Sequence, residues 1–233
     1  MSLIRYLKDS THPFYGSVVA LVMFFAYEIL LVAEPFGPQG QVRNAPEAWL
    51  RTLFFYLGVA PQYLTFVMIT FSLLAMPWFY RTVGQVKWRV FWLVIPESML
   101  WGALSGVLIQ WVLGHFFLSA TTMTGGVLTQ LGLSIGAGLF EELFFRVFLT
   151  TLLVWAFAKM LPNRWLALIA AVLCASFLFS LSHYMGSLGD SFALYSFIFR
   201  FAAGLWFTTL YAVRGFAVVS LTHAFYDIFL VLS

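Results

Sequence analysis

Apolar residues in this chain gather into long runs separated by short polar breaks. The runs cover about 15–33, 52–80, 90–117, 126–158, 165–185, 192–213 and 215–232. A helix needs about 20 apolar residues to cross the hydrocarbon core of a bilayer. The pattern therefore predicts an all-α fold, a polytopic membrane helix bundle of about seven transmembrane helices. The second run has room for a short amphipathic or re-entrant piece, Arg51 to Tyr56, before Pro61. The fourth run would be about 50 Å long at 1.5 Å per residue. It must tilt, protrude or break, and Gly136-Ala137-Gly138 is the expected break. The first run follows Arg5 and Lys8 as a signal peptide would. Its apolar stretch is longer than a usual signal core, and Leu31-Val32-Ala33 lacks the small residue that cleavage requires, so it reads as a retained anchor.

Composition agrees with a chain solvated mostly by lipid. Of 233 residues, 62% are hydrophobic, 20% aromatic and 9% charged, and the mean hydropathy is +0.94. Globular chains carry roughly 25% charged residues, and this supply would leave large apolar patches on a water-facing surface. A disordered chain, a collagen-like fibre and a disulfide scaffold are excluded, since Cys174 is the single cysteine. The net charge of +3 comes from scattered basic residues and implies no nucleic-acid partner. With the N-terminus inside, one side collects Arg5, Lys8, Arg81, Lys87, Arg89, Lys159, Arg164 and Arg214, the other only Arg43 and Arg51. That bias predicts a cytoplasmic N-terminus.

Ionisable groups at membrane depth are costly and face a cavity or a partner. Arg146, Arg200, Glu28, Glu97, Glu141, Glu142, Asp227, His183 and His223 all fall inside predicted spans. Glu28 and Glu97 each sit alone in their helix and read as structural, protonated or bonded to a neighbouring span. The segment Phe140-Glu141-Glu142-Leu143-Phe144-Phe145-Arg146 differs. Glu142 and Arg146 are four apart on one helical face and can pair. Glu141 points away, on a face with Ser134, Ala137, Gly138 and Phe145 that leaves room for another helix or a substrate backbone. A carboxylate facing a cavity is suited to general-base work. Later, Phe179 and Ser180 share a face with His183, and His223 and Asp227 are four apart on the last span. Gly132-Leu133-Ser134-Ile135-Gly136 matches GxSxG only formally. That motif works as a strand-to-helix elbow, and within an apolar helix it reads as small-residue packing. Cys174 reads as buried and inert.

Glu141-Glu142-xxx-Arg146, Phe179-xxx-His183 and His223-xxx-Asp227, in that order, resemble the three-motif signature of CAAX-processing and bacteriocin-processing intramembrane endopeptidases, which include the type II CAAX prenyl endopeptidases. The resemblance covers about 125–231 and makes that part the catalytic helical core of a single membrane domain, 1–233; residues 1–120 supply spans without a usable motif. It implies that Glu141 and His183 activate a water for attack on a peptide carbonyl. His223 and Asp227 would form the oxyanion site, and Glu142 with Arg146 would support the architecture. It also implies no metal or other cofactor, a membrane-embedded protein or peptide as substrate, and residence in the cell (inner) membrane of a prokaryote. The family often has Asn where Asp227 stands. Asn can donate to an oxyanion, whereas an ionised Asp can only accept, so Asp227 either stays protonated or orients His223.

Three other readings remain open on the residues alone. Glu and two His could hold zinc in an intramembrane metalloprotease, although the chain has no HExxH pair. The buried ionisable groups could form a transport or proton pathway, and the fold could serve a non-catalytic immunity protein. The sequence names no substrate bond and no oligomeric state. His183 suggests a site in the outer half of the membrane, and His223, close to Gly215, suggests the inner half.

Overall fold

A computed structural model of the protein describes residues 2–34, 42–60, 63–113, 126–186 and 189–233. Among these residues every regular element is a helix. A short α1 (Leu3–Ser10) leads into α2 (Pro13–Ala33), followed by α3 (Ala45–Tyr56), α4 (Leu64–Val83) and α5 (Trp88–Leu113). Then come α6 (Val127–Met160), α7 (Arg164–Ser182) and α8 (Leu194–Leu232). The short amphipathic or re-entrant piece expected at Arg51 to Tyr56 falls within α3, a helix separate from α4. Six helices, α2 and α4 to α8, are long and apolar enough to cross a membrane, and the protein is an integral membrane protein.

The last of these is folded back on itself. Gly215 has φ 72° and ψ −177°, a conformation that costs glycine little because it has no Cβ. Phe207 stacks on His223 with ring centroids 4.6 Å apart, whereas a straight helix would separate positions 207 and 223 by about 24 Å. The chain doubles back at Gly215 into two passes, 194–214 and 216–232, which match the sixth and seventh apolar runs.

Lipid as solvent explains which side chains are inside. Trp92, Trp111, Leu166, Ile169, Leu173 and Phe177 face outward, while Ser98, Ser105, Ser176, Ser180, Ser220 and Thr222 are buried. Helices in a bilayer gain little by hiding apolar groups from one another. Their contacts come from small residues that permit close approach and from polar groups bonded between helices. Cys174, expected to be buried, is half-exposed because it lies beside the outward-facing Leu173 and Phe177 of α7.

The break expected in α6 does not occur. Gly136 (φ −62°, ψ −40°) and Ala137 (φ −60°, ψ −53°) stay helical, and the winding changes instead: a π-helix occupies Ala137–Thr150. Its i→i+5 bonding puts more residues in each turn, which shortens this long segment. The glycines are there for contact rather than for a break. A Cβ on Gly136 would lie 2.6 Å from the Tyr27 ring of α2, and one on Gly138 would lie 2.3 Å from the Ser220 carbonyl oxygen and 2.7 Å from the Ala224 nitrogen. Ser134 is buried and donates to the Gln130 carbonyl, which agrees with the packing reading of GxSxG. At the start of α6 the Glu34 carboxylate accepts from Thr129 N at 2.6 Å, satisfying a free N–H at a helix N-terminus.

At the end of the bundle nearest the N-terminus, Arg214 is buried rather than a free loop cation. It clasps Glu97 at 2.6 and 2.8 Å and donates to Ser10 Oγ. Glu97 thus has the interhelical partner its isolation in α5 demanded. Burial, then the adjoining Glu97 carboxylate, push the Tyr6 hydroxyl above its usual range.

Gly138→Ala should destabilise the protein in detergent by about 1–3 kcal/mol or more, because its Cβ meets backbone that cannot rotate away. Gly106→Ala, whose Cβ would meet only Tyr226 ring atoms at 3.8 Å, should be neutral or stabilising. Thermal unfolding of the two purified variants checks this.

Candidate active site

The site is built on α6, the C-terminal end of α7 and the second pass of α8, with Arg146 at its centre. This guanidinium is fully buried. Its Nε lies 3.1 Å from Glu142 Oε2, and its plane sits 4.4 Å from the Phe179 ring and 5.8 Å from the Phe207 ring. None of its nitrogens is aligned for a hydrogen bond. A carboxylate and two ring faces hold the charge, a combination that strengthens away from water.

The rings that flank Arg146 also support the two histidines. Phe179 meets His183 edge-on at 5.0 Å, and Phe207 stacks on His223. A continuous pile therefore runs from His183 through Phe179, Arg146 and Phe207 to His223. Glu142, buried with no exposure, closes it by placing Oε1 2.6 Å from His223 Nδ1.

These contacts fix where the ring protons lie. His183 Nδ1 lies 2.9 Å from the Phe179 carbonyl oxygen, which can only accept, so Nδ1 carries the hydrogen. In the neutral ring Nε2 of His183 is then a free lone pair. His223 Nδ1 likewise donates to Glu142. Its Nε2 lies 3.6 Å from Asp227 Oδ2, close enough for charge attraction but too far for a hydrogen bond. Glu141 is half-buried and within electrostatic reach of His183, His223, Asp227 and Arg146. The six residues of the three motifs are thus linked by direct contact or electrostatic reach. Arg200 stays at the edge, paired with Asp190.

Two residues here carried no signal in the sequence. Phe207 lies outside the three motifs, one of many aromatic residues in an apolar run. Asn44, just before α3, donates from Nδ2 to Glu141 Oε1 at 3.2 Å. It comes from the part of the chain read as having no usable motif, and only the three-dimensional return of the segment after α2 reveals it. A charged network backs it. Arg43 bridges Glu28 and Glu47 at 2.6 and 2.7 Å, Arg51 pairs with Glu47, and Tyr27 bonds to Glu47 and to the Asn44 backbone. Burial alone would disfavour the Arg43 charge, but the bond to Glu28 and the nearby Glu47 carboxylate hold the guanidinium above its usual range. Glu28, alone in α2, is therefore a structural ion-pair partner. The site sits toward the end of the bundle that carries Asn44 and His183, away from α1.

Residues 123–229 match the family described as Type II CAAX prenyl endopeptidase Rce1-like. The match contains Glu141, Glu142, Arg146, His183, His223 and Asp227. Over this core the chain is similar to that family of proteases. No curated protein and no solved structure matches the chain.

Removing Arg146 leaves Glu142 buried without its counter-ion. Arg146→Ala should cost about 3–5 kcal/mol, as losing one partner of a buried pair does, and it should lower folded yield before it affects anything else. Adding Glu142→Gln to Arg146→Ala should recover part of the loss. Detergent-stable yield and thermal unfolding of the single and double variants are the measurements.

Proposed function

We propose that this Rce1-like protein is an intramembrane endopeptidase of the glutamic type, which hydrolyses a peptide bond of a membrane-associated or lipidated protein or peptide. The observation that carries the reading is that Glu141 lies within electrostatic reach of His183, whose Nδ1 is committed to the Phe179 carbonyl, and of His223 and Asp227. One site thus combines two acceptors with two potential donors, as amide hydrolysis by an activated water requires.

In this mechanism a water gives one hydrogen bond to Glu141 and the other to His183 Nε2. Glu141 takes a proton as the water oxygen bonds to the carbonyl carbon, and the carbonyl π electrons move onto its oxygen. The resulting oxyanion faces His223 and Asp227. When the C–N bond breaks, the amine leaves with the proton that Glu141 held. His223 already donates from Nδ1 to Glu142, so it donates from Nε2 only as an imidazolium.

The geometry favours one of the two roles open to Asp227. Glu142 orients His223, which leaves Asp227 free to act as a protonated donor toward the oxyanion, as Asn would. Glu142 is thus a positioning residue for His223 as well as the partner of Arg146. The substrate reaches the site through the bilayer, no cofactor is needed, and the whole chain acts as one membrane domain with its catalytic core at 125–231. Arg5, Lys87 and Arg89 line one hollow at the α1 end, which supports a cytoplasmic N-terminus in a prokaryotic cell membrane.

Glu141→Gln should abolish cleavage with normal folded yield. Membranes holding the wild-type chain should contain at least one protein terminus absent from membranes holding Glu141→Gln. Identical termini would overturn the protease reading. Cleavage of a peptide spanning that bond should persist in EDTA or phenanthroline, and activity that tracks bound zinc would restore the metal reading.

Asp227→Asn should keep most activity, because the amide preserves a donor. Asp227→Ala should lose roughly 10²–10³-fold, the scale of one oxyanion-stabilising group. Wild-type activity in both variants in the same peptide assay would remove residue 227 from the reaction.

A further inference from the structure

Asn44 stands where an N-cap residue stands, immediately before α3, with extended backbone at φ −62° and ψ 141°. Asn is among the preferred N-caps because its side-chain oxygen accepts from a free N–H of the first turn. Here it makes no such bond. Its carboxamide turns toward α6, where Nδ2 donates to Glu141 Oε1 at 3.2 Å. The side chain is also buried, and its Oδ1 has no hydrogen-bond partner among the described residues. A buried polar atom left unmatched in this way calls for an explanation.

The surroundings keep it in place. Asn44 N donates to the Tyr27 hydroxyl at 3.3 Å, and Tyr27 bonds to Glu47. Glu47, with no exposure, is held by Arg43 and Arg51, and Arg43 also grips Glu28 on α2. Two carboxylates, two guanidiniums and a phenol thus fix one short segment above the site. Its effect is to hold one carboxamide against one carboxylate.

We infer that Asn44, outside the Rce1-like core, is a positioning residue for the reaction, holding the Glu141 carboxylate through Nδ2 and presenting Oδ1 to whatever enters the site. This rests on Glu141 being the base proposed above. The donated hydrogen bond occupies Oε1 and so directs the other carboxylate oxygen, Oε2, to the water. Oδ1 gains a bond when a molecule with an N–H or O–H arrives beside it. The N-terminal spans then do more than complete the bundle. They supply a group that the catalytic helices lack.

The test uses the full chain in proteoliposomes and a quenched-fluorescent peptide spanning the bond that the wild type cuts. Asn44→Ala should lower kcat about 10- to 100-fold, the loss expected for one hydrogen bond to a charged group. KM should stay within about twofold and thermal unfolding should not change, because no helix cap is lost. Asn44→Asp keeps the shape but cannot donate when ionised, and it should lose at least as much kcat. Wild-type kcat in either variant overturns the inference, and so does a loss that follows folded yield in both. An active Glu141→Gln protein instead refutes Glu141 as the base, and a wild type that cuts nothing refutes the protease reading.

Discussion

A single buried cation organises the functional half of this protein. Arg146 is fully buried, and an isolated guanidinium at this depth would be strongly disfavoured. The fold answers with Glu142 at 3.1 Å and with the faces of Phe179 and Phe207. Each of these partners is also attached to a histidine: Glu142 and Phe207 to His223, Phe179 to His183. Satisfying one charge therefore sets the positions of both rings. The stabilising and the chemical parts of the motif are the same set of contacts.

That arrangement depends on how closely the helices approach. Glu142 can reach His223 because Gly138, one π-helical turn away, lets α6 lie against the backbone of α8 at Ser220 and Ala224. Gly136 does the same toward Tyr27 of α2, and Tyr27 in turn belongs to the network that seats Asn44. Two glycines of one helix thus dock it to the two sides from which its acidic pair is held, Glu142 from α8 and Glu141 from the segment before α3.

Much of this was legible in the sequence, for reasons that differ by residue. The spans could be read because lipid imposes a minimum apolar length, and the two passes of α8 appeared as two runs. Glu141, Glu142, Arg146, His183, His223 and Asp227 stood out because charge at membrane depth needs a cause. Asn44 did not, because an asparagine before a helix is the ordinary N-cap, and only its contact with Glu141 separates the two roles. Phe207 was hidden by composition, in a chain with 27 phenylalanines. The winding of α6 was illegible as well. Gly136-Ala137-Gly138 advertises a break, and whether small residues interrupt a helix or admit a neighbour is decided by the neighbour.

The turn at Gly215 has a consequence for how this protein can change over time. Its two passes are joined by one residue in a left-handed conformation, and a Cβ at Gly215 would lie only 3.1 Å from the Thr11 backbone. There is no slack to absorb a change in length. One residue added between 207 and 223 would rotate a pass by about 100°, carrying His223 off Phe207 and away from Glu142. Insertions and deletions there should be purged in any lineage that keeps the site. The spacing from Phe207 to His223 is consequently as much a signature of this architecture as the identity of either residue.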